Sequence, residues 1–421
     1  MLAFVNQFNL VMFAIFTVLY IYQFFYVLVV LFQKKKRTPE ARKNHRYAVI
    51  ISARNESAVI SELLRSIKKQ NYPAELIDTF VVADNCTDDT AEVARREGAI
   101  VYERFSETLK GKGYALDYIF RIIQNDYAEK GYEGYFIFDA DNLLDPNFVY
   151  EMNKQFDQGY RILTSYRNSK NYDSNWISAG YGLWFLREAK YLNNARMLLG
   201  TNCAVSGTGF LVHSDIIRKN RGWKYHLLTE DIEFSVDSAI KGERIGYCEK
   251  AIIYDEQPQS FDQSWKQRLR WSKGFYQVFG KYGLDLLKKV FTKGSFACYD
   301  MFMTIAPAMF VALGSVAVNA SFLIYTITRA HPMPSLIIAT SSAVFASFFN
   351  FYLVLYFFGL ITTISEWKKI NCAPLKKILY TFTFPVFIFT YIPISLEALF
   401  KKIEWVPITH SISKSIEEVR Q

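Results

Sequence analysis

Cysteine is scarce. The five residues Cys86, Cys203, Cys248, Cys298 and Cys372 are an odd number in a chain of 421. They are widely spaced, with no CxxC pair and no histidine at metal-ligand spacing, which argues against a disulfide framework and against a zinc site. Charge is also thin: 21% of residues are charged, against about 25% in an ordinary soluble protein. Residues 1–32 carry no charge at all. Internal repeats and low-complexity segments are missing, and with 51% hydrophobic and 17% aromatic residues the chain is not of the disordered class.

The length leaves room for two to four packed units at roughly 100–200 residues each. A net charge of +9 calls for an acidic ligand, a nucleic acid or an anionic membrane surface. Its placement decides: the basic residues cluster beside apolar runs, at 34–46 and 266–289, which suits a lipid leaflet better than a duplex. Residues 10–32 exceed the ~20 needed to cross a bilayer. Lys34, Lys35, Lys36 and Arg37 follow that run instead of preceding it, so it reads as a retained anchor with its N-terminus outside and its basic flank cytoplasmic.

From 34 to about 298 the texture is that of a soluble domain. Short β-branched and aromatic runs at 47–52, 80–83, 100–103 and 135–138 alternate with helical patterns at 58–69, 89–97, 114–124 and 147–156. This alternation predicts an α/β domain with a mostly parallel sheet, whose ligands sit at the carboxyl ends of the strands. Further on, the uncharged runs 301–328 and 335–365 read as a hairpin of two spans. Residues 378–396 are apolar but contain Pro385 and Pro393 and have lysine pairs on both sides, which favours a broken interfacial or re-entrant segment over a span. The expected organisation is a transmembrane helix (1–33), a cytoplasmic α/β domain (34–261), amphipathic interfacial helices (262–298), a transmembrane hairpin (299–365), a cytoplasmic loop with a re-entrant or spanning segment (366–402) and a cytoplasmic tail (403–421).

Five motifs carry candidate chemistry. Ser52-Ala-Arg-Asn-Glu56 and Ala83-Asp84 end two strands; carboxylates there can accept from an imide or from ribose hydroxyls, or the segments are polar turns leading into helix caps. Lys110-Gly-Lys112-Gly suits a phosphate or is a surface loop. In Asp139-Ala-Asp141 side chains at i and i+2 of an extended backbone share a face, so both carboxylates can address one hard cation; a solvated turn is the alternative. Thr229-Glu230-Asp231 opens a helical stretch, where a carboxylate can act as a base or simply favour the helix dipole. Gln267-Arg268-Leu-Arg270-Trp271 offers guanidinium groups to phosphate and an indole face to a sugar, or snorkels at an interface.

Taken in order, these pieces resemble the membrane-embedded family 2 glycosyltransferases, which include cellulose, chitin, hyaluronan and poly-N-acetylglucosamine synthases. The resemblance covers about 45–300 and implies a nucleotide-sugar domain of the A type. It implies that Glu56 and Asp84 hold uridine, that Lys112 and Arg268 hold the diphosphate side of the donor, and that Asp139 and Asp141 hold Mg2+ or Mn2+. Asp231, with Glu230 beside it, is then the general base; Gln267 and Arg270 steady the departing diphosphate, and Trp271 is the acceptor floor. Ser206, Gly207 and Thr208 fall in a glycine-containing loop near the acceptor.

The implied activity is inverting transfer from a UDP-sugar, Glc or GlcNAc, to a growing glycan at the cell membrane. The glycan would leave through the protein along Tyr325, Phe345, Phe348, Phe349, Tyr352, Tyr356 and Phe357 with nearby serines, the wall being completed by a homo-oligomer or by the broken segment 378–396. The competing readings are one sugar added to a membrane lipid and a non-enzymatic transporter. The uncharged spans count against the transporter.

Overall fold

The computed structural model describes residues 1–32, 37–328, 333–404, 407–408 and 410–420. The basic flank at 34–36 and most of the 329–334 turn therefore lie outside the described residues. The chain begins with helix α1 (Leu2–Phe32), which is apolar throughout. An alternating region follows: β1 (Tyr47–Ala53), α2 (Ile60–Lys68), β2 (Ile77–Asp84), α3 (Thr90–Arg96), β3 (Ile100–Arg104), α4 (Lys112–Asp126), β4 (Gly134–Asp139), β5 (Leu143–Leu144), α5 (Phe148–Asp157) and β6 (Ile162–Ser169). Each strand and helix expected in this stretch is present within a few residues.

Beyond it lie α6 (Trp176–Arg187), a π-helical turn (Glu188–Asn193), α7 (Asn194–Leu199), β7 (Phe210–His213), α8 (Ser214–Asn220), α9 (Glu230–Lys241) and β8 (Ile245–Asp255). The sheet order is β3-β2-β1-β4-β7-β6-β8-β5. It is mostly parallel, with β7 antiparallel to β4 and β6, and β5 antiparallel to β8.

Alternation along each strand feeds two cores. Ala48, Ile50, Phe80, Val82 and Ile137 face one layer, while Val49, Ile51, Val81, Phe136 and Phe138 face the other, as the period of two requires. Both faces are covered, the condition under which parallel strands read as continuous apolar runs. The reversed direction of β7 matters for function. Its first residue, Phe210, pairs with Ile137 near the end of β4, so the loop that precedes it lies at the carboxyl edge of the sheet.

The C-terminal part is helical: α10 (Phe261–Lys293), α11 (Phe296–Ile305), α12 (Ala308–Ile327), α13 (Pro334–Ser365), α14 (Pro374–Phe389), α15 (Tyr391–Phe400) and α16 (Ile416–Val419). The segment 262–298 is mainly one continuous helix of 33 residues rather than several. The uncharged run 301–328 is not one span either, because α11 stops before Pro307. A proline disfavours helical backbone in the residue before it, and Ala306 is extended, with φ −64° and ψ 134°. Four helical stretches among the described residues are long and apolar enough to cross a membrane: Leu2–Phe32, Phe310–Ile327, Pro334–Ser365 and Pro374–Phe400. The last is interrupted at Thr390, three residues before Pro393, whereas Pro385 sits inside α14 without ending it. Its first half docks on the α/β domain: a Cβ on Gly180 would come within 2.4 Å of the Phe387 ring, so α6 and α14 meet where only glycine fits.

Two polar contacts tie the helices together. Asn9 on α1 and Asn319 on α12 exchange amide hydrogen bonds of 3.0 and 2.8 Å. Asp300, fully buried on α11, accepts from Arg196 Nε at 2.7 Å, from Arg196 Nη2 at 2.9 Å and from the Tyr26 hydroxyl at 2.7 Å. Asp300→Asn strands the Arg196 cation and should cost about 3–5 kcal/mol; thermal unfolding in detergent reads this as a large fall in midpoint, and an unchanged midpoint would show that the pair is dispensable. The aromatic residues expected to line an exit path mostly face outward: Phe345, Phe348, Phe349 and Phe357 are exposed. Ser321, Ser341 and Ser347 return their hydroxyls to carbonyls of their own helices. Part of this aromatic face is covered by α14, with Phe382 against Tyr356 and Phe389 against Phe348 and Phe351.

Candidate functional site

The carboxyl ends of β1, β2, β4, β6 and β8 open into a cavity of about 560 Å³. It is lined by twelve of the expected residues: Glu56, Asp84, Lys112, Asp139, Asp141, Ser206, Gly207, Glu230, Asp231, Gln267, Arg270 and Trp271. The register explains part of this convergence, since Ser52 at the end of β1 sits beside Val82 and Asp139. Asp141 reaches the cavity by a different route from the one expected. The strand ends at Asp139, so Asp141 is presented by a turn instead of by strand alternation.

At the end of β2, Asp84 is held by an ion pair with Arg104 and is raised above the usual carboxylate range by burial. Burial also pushes Glu56 up to about 7, against the pull of His410. Lys112, at the start of α4, bonds Asp139 and the Gly207 carbonyl (2.9 Å). The following glycine is dictated by packing, not by a phosphate: a Cβ on Gly113 would stand 2.2 Å from the Tyr225 carbonyl oxygen.

The acidic pair at the start of α9 is positioned from both sides. Glu233, one turn on, accepts from the backbone of His226 (3.0 Å) and Leu227 (3.1 Å) and from Lys281 (2.6 Å), which fixes the approach to the helix. The Gly207 N–H donates to Asp231 Oδ2 at 2.6 Å. Burial and the neighbouring Asp231 push Glu230 up to about 7, with Lys112 opposing. Asp231 is itself raised by burial, while the Ile232 N–H and Lys112 hold it back. Arg270 is lowered by burial despite Glu230 and Asp139 nearby. Trp271 meets the edges of Tyr181 (5.7 Å) and Phe185 (6.2 Å).

Two expectations need correction. Arg268 does not line the cavity. It is fully buried, bonds the Phe387 carbonyl (3.1 Å) and the Thr390 hydroxyl (2.5 Å), and so pins α10 to the break between α14 and α15. Thr208 is buried and does not line the cavity: its Oγ1 accepts from the Asp139 N–H (2.8 Å) and bonds Asn142 (2.5 Å), so it shapes the Asp139 turn.

Other residues were not anticipated. Arg167 on β6 ion-pairs with Asp255, donates to the Ser206 carbonyl (3.0 Å) and lies over the Phe185 ring at 3.6 Å. Glu256 gives its N–H to Asp141 (2.8 Å) and its carboxylate to the backbone N–H groups of Ser411 and Ile412. The tail, expected only to be cytoplasmic, reaches the site: Pro407, Ile408 and His410 line the cavity. His410 Nδ1 is 3.0 Å from Glu56. Burial disfavours its charge, but Asp141 and Glu56 outweigh that and push it up to about 10. The tail had one legible signal, the Ser415-to-Glu418 spacing, which forms a capping box on α16; nothing local marked His410.

For a divalent cation the donor set fits in part. Asp139 keeps 37% of its side chain accessible, whereas Asp141 is buried and already accepts from Glu256. Among the described residues no three His, Cys, Asp or Glu side chains converge as a metal site, so a cation here would complete its oxygen shell with ligand oxygens and water.

The family model described as "Glycosyltransferase like family 2" matches residues 45–274. Similar proteins include a probable glycosyltransferase, YdaM, of Bacillus subtilis (24% identical over 316 residues, 69% of this chain and 70% of the relative). A beta-monoglucosyldiacylglycerol synthase of a Nostoc species is 23% identical over 270 residues, covering 61% of this chain and 54% of the relative. A poly-beta-1,6-N-acetyl-D-glucosamine synthase of Staphylococcus aureus is 23% identical over 234 residues, 54% of each chain. The chain thus spans about half the length of these last two. In fold it is similar to a mannosyltransferase of Pyrobaculum calidifontis solved with GDP-Man and Mn2+ (TM-score 0.60, 16% identity, 94% of this chain and 99% of that one).

Proposed function

The chain belongs to glycosyltransferase-like family 2 and is a glycosyltransferase, and on that premise we propose that it transfers a sugar from a UDP-sugar to an acceptor hydroxyl with inversion at C1. The observation that carries this reading is the single cavity in which Lys112, Asp139, Asp231 and Trp271 meet side chains of the apolar helices, among them Tyr20, Ile388 and Tyr391. Asp84 and Glu56 receive the nucleoside. Lys112 and Arg270 face the diphosphate as charge grows on it, where fixed cations in a dry site act strongly. Asp139 and Asp141 would hold Mg2+ or Mn2+, which supplies further charge stabilisation to the leaving group. The acceptor oxygen forms its bond to C1, its proton goes to Asp231, and UDP departs with the electron pair of the broken C1–O bond. The catalytic domain sits on the cytoplasmic face of the cell membrane, with α14–α15 as a broken interfacial element beside it.

The acceptor of this reading is a glycan growing at the membrane. A second reading, one sugar added to a membrane lipid, is favoured by the apolar residues that share the cavity with Asp231, and one relative is named for such a reaction. Incubation of the purified chain with radiolabelled UDP-Glc or UDP-GlcNAc and membrane extract, followed by sizing of the products, separates the two. Polymer is expected for the first reading and a lipid monoglycoside for the second. Absence of label transfer from every donor would contradict both.

A further inference from the structure

The π-helical turn between α6 and α7 brings a carboxyl group into the cavity that the reaction above does not use. Such turns rotate the side chains that follow and recur at functional sites. Glu188, its first residue, lines the cavity together with Trp184, Phe185 and Leu192 from the same stretch. Its one hydrogen-bonding partner among the described residues is the Ser206 hydroxyl, at 3.2 Å. Burial raises Glu188, Arg167 and Arg196 pull it down, and Asp231 pushes it up, so it lies within electrostatic reach of the base. Ser206 precedes Gly207, whose N–H holds Asp231. A buried carboxyl group is costly unless hydrogen bonds or cations satisfy it, and here the Ser206 hydroxyl bonds it while Arg167 and Arg196 offset its charge.

Beyond these groups the cavity wall becomes apolar. Tyr20 of α1, Leu192, Ile305 and Pro307 at the α11–α12 break, and Ile388 and Tyr391 at the α14–α15 break contribute to it. Tyr20, Ile388 and Tyr391 belong to stretches long and apolar enough to cross a membrane, so this part of the cavity wall is made by the apolar helices.

We propose that the acceptor is a lipid that already carries a sugar: Glu188 and Ser206 grip hydroxyls of its terminal pyranose, aromatic rings cover the ring's apolar face, and the lipid chain lies along the apolar wall. A pyranose offers adjacent hydroxyls to a carboxylate and a C–H face to an aromatic ring. A bare lipid alcohol offers one hydroxyl, which Asp231 alone would engage, and would leave Glu188 with no contact to the acceptor and only the Ser206 hydroxyl as its partner. The proposal rests on the reading of the site as a UDP-sugar transferase.

The test uses the full chain in nanodiscs with labelled UDP-Glc and UDP-GlcNAc, offered alkyl glucosides of increasing chain length, free glucose or dioleoylglycerol. Transfer to the alkyl glucosides is expected, with KM falling at least about tenfold from ethyl to dodecyl as methylenes are buried; free glucose should be a poor acceptor and dioleoylglycerol none. Glu188→Gln should raise KM for dodecyl glucoside about 10–100-fold, as loss of a charged hydrogen bond does. UDP binding and thermal midpoint should stay unchanged. Ser206→Ala should shift the same KM in the same direction. Transfer to dioleoylglycerol, or a KM indifferent to chain length and to Glu188→Gln, would overturn the proposal while leaving the transferase reading intact. Failure to bind UDP or to release it from any donor would overturn that reading and the proposal with it.

Discussion

Asp231→Asn should lower sugar transfer by about 10²–10⁴-fold, the usual worth of a positioned general base, while UDP binding persists. The substitution is nearly isosteric, and the residues proposed to receive the nucleotide, Glu56, Asp84 and Lys112, are other members of the cavity lining. The Gly207 N–H, 2.6 Å from Oδ2, would still find an acceptor in the amide oxygen, so the loop should keep its place. A variant that retained a tenth of the activity would remove Asp231 from the role of base. The pH profile gives a second readout. A base works deprotonated, and burial raises Asp231 while Glu230 stands at about 7, so activity should climb with pH through a limb above the ordinary carboxylate range. Glu230→Gln removes one negative charge from the pair, favours ionisation of Asp231 and should move that limb to lower pH; a limb that stayed in place would show that the two do not titrate together.

Asp139→Asn and Asp141→Asn should each reduce turnover by roughly 10²-fold or more, since a Lewis acid at a leaving group is worth several kcal/mol. The two should differ in a second respect. Asp139 also pairs with Lys112, so its replacement frees a buried cation and should weaken the protein as well. Asp141 accepts from the Glu256 backbone at 2.8 Å, and an amide oxygen can keep that bond. Excess chelator should stop turnover, and added Mg2+ or Mn2+ should restore it. Undiminished transfer in chelator would take the metal out of the mechanism.

Why some of this was legible in the sequence and some was not follows from the range of the interactions. The strands up to β4 and the helices around them were readable because periods of two and 3.6 are local properties. The face of α10 was readable in principle: Gln267, Arg270 and Trp271 stand at i, i+3 and i+4 and share one side of a helix, and all three line the cavity. Arg268 lies about 160° from Arg270 but only about 60° from Trp271 around a helix, so the period alone does not settle its direction; its partners, the Phe387 carbonyl and the Thr390 hydroxyl, are more than 100 residues away and have no local signature. Thr208 is a similar case, because its partners Asn142 and Asp139 lie about 70 residues away and only the antiparallel pairing of β7 brings them near. That pairing rests on a strand of four residues, too short for periodicity to announce. The π-helical turn with Glu188, the support of Asp84 by Arg104, and the return of His410 to Glu56 are likewise tertiary facts without a local signature.

The anomeric configuration of the product tests the central claim most directly. With UDP-Glc or UDP-GlcNAc, both α-linked at C1, as donor, a single in-line displacement assisted by Asp231 must deliver the new bond with the opposite configuration. Proton NMR of the product made by the purified chain should therefore show the large H1–H2 coupling of a β-glycoside. A product bearing the small coupling of an α-glycoside would contradict the account, because retention requires a route that one base in this cavity does not provide.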